Sequence, residues 1–87
     1  MAELIKMDGT REALTDLSLP ALQTAVDGYI EYISLDDERV LVVNEDGRMR
    51  KLGVNMEASR IMMRHGPPAP DPVIVGNVVC CSKGELD

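Results

Sequence analysis

Covalent catalysis needs a nucleophile, a base and a group to orient them. The candidates are few: His65, the adjacent thiols Cys80 and Cys81, and the acidic groups Asp36-Asp37-Glu38 and Glu45-Asp46. His65 falls at the end of an expected helix, where an imidazole complements the negative end of the dipole, so capping or packing accounts for it. Cys80 and Cys81 lie in an apolar run. Neighbouring residues of a strand point to opposite faces, so the pair suits neither a mutual disulfide nor joint metal ligation. Nothing near them in sequence would lower a thiol pKa. Both acidic groups fall in expected turns, where carboxylates are solvated or bond their own backbone, and they lack the alternating oxygen ligands of a calcium loop. The glycines are dispersed and form no GxGxxG or Walker pattern. The expectation is a protein with no catalytic residues, no metal site and no cofactor, which acts by binding.

One charge pattern stands above background. Arg48, Arg50, Lys51, Arg60 and Arg64 face a single acid, Glu57, so this window carries +4 and the rest of the chain −10, within a net charge of −6. If 48–52 is a strand, Arg48 and Arg50 share a face; Arg60 and Arg64 are one helical turn apart. Asn55 at a helix N-terminus would add backbone donors. Arg48, Arg50, Asn55, Arg60 and Arg64 therefore compose a candidate anion site for a nucleotide or another phosphorylated small molecule. Two readings compete with it: an ordinary solvated surface whose ion pairs each contribute about 0–1 kcal/mol, and a basic pole that meets the acidic pole of a second copy or of a host protein.

The elements that must position these residues follow from local signals. Glu3 to Lys6 and Arg11 to Leu14 read as a hairpin around Gly9. Ser18 before Leu19-Pro20 starts a helix of about eight residues that Gly28 stops. Tyr29 to Leu35 and Arg39 to Val43 form the strongest strand pair, and Arg48 to Leu52 is expected to follow as a further strand after a tight turn at Gly47. Asn55 caps a second helix with Ala58, Ile61, Met62 and His65 on one side, ended by Gly66. Residues 66–72 hold four of the five prolines and form a stiff connector. Val73 to Cys81 is expected as a strand covered on both faces or lying in a subunit contact, with Gly76 marking a bulge or close approach. The ends, Met1-Ala2 and 82–87, are expected to be loose.

The 87 residues fit a single domain, 1–87, with a thin core. With 45% apolar residues the chain is too hydrophobic for a solvated tail. The acidic balance and the two tyrosines as sole aromatics disfavour generic nucleic-acid binding. No apolar run approaches a membrane span and the N-terminus lacks the pattern of a secretory signal, so the protein is expected to be cytoplasmic.

The succession Val26-Asp27-Gly28-Tyr29-Ile30-Glu31, the hairpin ending in Asn44-Glu45-Asp46-Gly47, Asn55 with Ala58, and Ile74-Val75-Gly76-Asn77-Val78-Val79 resembles domain-of-unknown-function family 3846 of bacteriophages, plasmids and bacteria. Gly28, Tyr29, Glu31, Asn44, Gly47 and Gly76 carry the likeness. The resemblance implies mobile-element origin, a bacterial host cell and no defined activity. Tyr29 is expected to fill the margin of the core. The resulting expectation is an α+β fold: two short helices packed on one face of a curved, mostly antiparallel sheet of five to six strands, with dimerisation favoured by the thin core and doubly apolar last strand. Its function is expected to be that of a non-enzymatic phage-type accessory protein that binds and modulates a host protein; capture of a phosphorylated small molecule is the alternative.

Overall fold

A computed structural model describes residues 2–68 and 71–86. Met1, Asp87 and the connector's Ala69 and Pro70 lie outside the described residues. In the first hairpin, strands β1 (Glu3–Ile5) and β2 (Arg11–Ala13) pair antiparallel around a turn in which Gly9 takes φ +90° and Asp8 accepts hydrogen bonds from the N–H and hydroxyl of Thr10. Helix α1 (Leu19–Val26) starts where Ser18 Oγ accepts from Ala21 N, as the sequence signal requires. Its left-handed terminal residue is Asp27 (φ 60°) and not Gly28.

Strands β3 (Ile30–Ser34) and β4 (Arg39–Asn44) form the second hairpin, followed by helix α2 (Met56–His65) and strand β5 (Val78–Ser82). The sheet order is β2-β1-β5-β4-β3, antiparallel throughout. The fold is thus α+β with two short helices on a five-stranded antiparallel sheet.

Alternate residues of β4 divide the core. Leu41 and Val43 join Ile5 and Val78 beneath Ala58 and Met62 of α2, whereas Val40 and Val42 join Val79 and Cys81 beneath Leu22 and Val26 of α1. The helices therefore cover opposite faces, not the single face expected from sequence. This also explains the apolar β5: it is the central strand and is covered on both sides within one chain, so its composition no longer calls for a second one.

Three local expectations need correction. Residues 48–51 form turns and Leu52 joins no strand, because β5 occupies the place beside β4 that they would need, and the positive φ falls on Lys51 and not on Gly47. The last strand begins at Val78; before it, the backbone of Ile74 bonds to Asn55 and Ser59, and Val75 forms an isolated bridge with Val54. The described residues next to each end are anchored: Ala2 is buried, and Lys83–Leu86 form a 3-10 turn held by Lys83 N–H to Glu38 O at 2.7 Å, with Leu86 packed on the α1 side.

Candidate functional site

The five residues of the expected anion site do not meet. Arg48 reaches the far side of the connector, donating to Asp71 Oδ2 and to Val73 O, each at 2.6 Å. Arg50 binds the backbone carbonyl and the carboxylate of Asp27, so it caps the C-terminus of α1, where a cation complements the exposed carbonyls. Asn55 is fully buried. Its Oδ1 accepts from Ala58 N at 3.0 Å while its Nδ2 donates to Ile5 O at 3.0 Å and Gly76 O at 2.8 Å. The Asn55 side chain thus ties the N-terminus of α2 to β1 and the β5 approach and has no group left to offer an external anion.

Only Arg60 and Arg64 remain together, and the fold adds two arginines that the sequence window missed. Arg11 of β2, Arg39 of β4, Arg60 and Arg64 line one cavity of about 380 Å³ between α2 and the sheet, with Glu3 and Glu57 among them. Arg11 is clamped by Glu3 at 3.3 Å and Glu57 at 2.8 Å, Arg60 pairs with Glu57 at 3.3 Å, and Arg39 is held from outside by Asp36 at 2.9 Å. No hydrogen bond or ion pair holds Arg64 among the described residues. Arg11 and Arg39 are isolated in the chain, so no local count of charge could have found them; the strand register brings them into line.

His65 and Cys80 also line this cavity. Burial pushes the Cys80 thiol above its ordinary pKa, and no hydrogen bond joins it to His65, so the pair is not arranged as a thiolate and its base. Cys81 points into the α1 side and burial raises it to about 11. No group of three or more His, Cys, Asp or Glu side chains among the described residues is placed to hold a metal, and none of the described helices is long and apolar enough to cross a membrane.

A second feature lies at the outer edge of β3. Leu35 N–H donates to Arg39 O, and Tyr29 O accepts from Glu45 N–H, which fixes the odd-numbered residues as the ones bonded to β4. In an antiparallel ladder the alternate residues then face outward. Among the described residues, no backbone hydrogen bond takes up the N–H and C=O groups of Ile30, Tyr32 and Ser34 along this edge. Tyr29 and Tyr32 beside them are 69% and 55% exposed, which overturns the expected placement of Tyr29 at the core margin. Cavities of about 310 and 380 Å³ flank the strand on its two faces, one lined by Ile33, Met49 and Val73, the other by Tyr32, Val40 and Leu86.

A family model described as Domain of unknown function (DUF3846) matches residues 2–87. The chain belongs to that family. No curated protein and no solved structure matches it. In this DUF3846 chain the family-like residues divide into two kinds. Asn44 is buried and donates to Val26 O at 2.9 Å and Asp27 O at 3.1 Å; a Cβ on Gly28 would stand 2.7 Å from its Nδ2. A Cβ on Gly47 would meet Val75 at 2.9 Å, and Gly76, at φ +77°, would meet Leu52 at 2.9 Å. These four positions are architecture. Tyr29 and Glu31 are exposed and have no packing task, and both belong to the β3 edge.

Proposed function

We propose that this DUF3846 chain acts without catalysis, as an accessory protein that binds another protein by accepting an extended segment along β3. The carrying observation is the open edge itself. Natural sheets protect edges with short strands, lysine, proline, bulges or charge. The opposite edge, β2, is three residues long and carries Arg11 and Glu12, the latter 2.7 Å from Lys6. Strand β3 has five residues, Ile-Glu-Tyr-Ile-Ser, and none of these protections beyond Glu31. In strand addition, main-chain bonds supply affinity and pockets for alternate side chains supply specificity. The outward groups of Ile30, Tyr32 and Ser34 match the first requirement and the two flanking cavities the second. The partner is expected to present alternating side chains, apolar at the Tyr32 face and apolar or basic beside Glu31 and Met49.

Tyr32→Pro tests this. The Tyr32 N–H faces away from β4, so proline there removes an edge donor without breaking the hairpin, a position where strands tolerate it. The expected result is a wild-type circular-dichroism spectrum together with loss of whichever protein the tagged wild-type chain captures from native cell extract. Capture that survives in Tyr32→Pro removes the β3 reading. Light scattering on both proteins separates a foreign partner from a second copy of this chain, since self-pairing through β3 would appear as a dimer that the variant lacks.

A further inference from the structure

The arginine-lined cavity lies apart from the β3 edge, between α2 and strands β1, β2, β4 and β5. We propose that it is a binding site for a small molecule carrying a phosphate group. Four guanidinium groups, Arg11, Arg39, Arg60 and Arg64, stand against Glu3 and Glu57 in the lining and Asp36 behind Arg39, so the site stays net positive, at +1, in a chain whose net charge is −6. A phosphate monoester near neutral pH carries about −1.5 to −2, the sign that this local excess attracts.

The donors are available as well as the charge. Each guanidinium has five N–H groups in a planar fork suited to phosphate oxygens. Arg11 spends two of them on Glu3 and Glu57, Arg39 two of its side-chain groups on Asp36 and Arg60 one on Glu57. Arg64 spends none among the described residues. The carboxylates therefore fix Arg11, Arg39 and Arg60 in position and leave most of their donors free, an arrangement that lowers the entropy lost when a ligand is bound. At about 380 Å³ the cavity suits a small molecule, and Ile61 and Cys80 give the part of it beyond the phosphate an apolar wall. Its half-enclosed shape between one helix and the sheet suits a compact ligand better than a polymer backbone.

Thermal unfolding of the whole chain with inorganic pyrophosphate and with adenosine monophosphate, at constant ionic strength, tests the site. At least one of the two is expected to raise Tm in proportion to the logarithm of its concentration up to about 10 mM. Arg60→Gln with Arg64→Gln is expected to abolish the rise; neither residue holds the fold, because among the described residues one makes a single surface pair and the other none. Arg48→Gln is expected to keep it, because Arg48 does not line this cavity. Absence of a rise with both probes, or an equal rise in the double variant, overturns the proposal. Neither result bears on Tyr32→Pro, so this site and the β3 edge stand or fall separately.

Discussion

Asn55 is the residue on which most of the structure converges. One amide caps α2 through Ala58 N and ties β1 and the Gly76 turn through two buried carbonyls. Asparagine is legible as an N-cap from its spacing to the helix, because capping is local. Its other two bonds run to partners 50 and 21 residues away, which no spacing reveals. The two functions can be separated. Asn55→Asp keeps a good cap but turns a donor into a carboxylate oxygen facing the carbonyls of Ile5 and Gly76. Leaving buried acceptors unpaired costs about 1–3 kcal/mol, more when charge is involved. Asn55→Asp is therefore expected to lower Tm by more than about 10 °C in a domain of this size. Asn55→Ser, which caps without the repulsion, is expected to lose less. In a scanning-calorimetry series, Asp at least as stable as Ser would show that the repulsion is absent, and variants as stable as the wild type would show that the two carbonyl bonds contribute nothing.

Among the elements, the β3–β4 hairpin was the most legible, and its turn explains why. Asp36 closes it locally: Oδ1 accepts from Glu38 N–H at 2.9 Å and Arg39 N–H at 2.7 Å, while Oδ2 accepts from the Arg39 guanidinium. The two backbone N–H bonds, then the guanidinium bond, lower its pKa from 3.8 to about 2. A carboxyl held below its unfolded pKa adds stability that is present above pH 3.8 and disappears as pH falls toward about 2. Urea titrations across that interval are expected to fall less steeply for Asp36→Asn than for the wild type. Parallel curves would mean the turn carboxylate is not linked to folding. The elements that sequence misplaced, 48–52 and 73–77, have the opposite character. An apolar or alternating stretch states that it will be buried or half-buried, but a ladder needs a free neighbour, and β5 had already taken the place beside β4. Gly76 did announce a close approach; only its partner, Leu52, was out of sight.

Across the whole molecule, residues distant in the chain meet at places that no local count reveals. Charge counted along a window groups Arg48 and Arg50 with Arg60 and Arg64, whereas the fold sends the first two to structural duties and recruits Arg11 and Arg39 from separate hairpins. Likewise an apolar run cannot say which of its faces meets which helix. The adjacent thiols record that division, because Cys80 belongs to the α2 side and Cys81, 2% exposed, to the α1 side. Cys81 sits in the central strand between both helices, and its thiol, at a pKa of about 11, is almost wholly protonated at pH 8. An alkylating reagent can reach it only when the sheet opens, and in a central strand that opening is expected to approach global unfolding. In Cys80→Ala protein, iodoacetamide labelling of Cys81 followed by mass spectrometry is therefore expected to be slow and to track stability, so that Asn55→Asp accelerates it. The Tyr32→Pro substitution, confined to one edge, is expected to change the rate little. If Cys81 labels rapidly at pH 8 in Cys80→Ala protein without any further substitution, α1 detaches from the sheet independently, and the two faces of the core do not unfold as one unit.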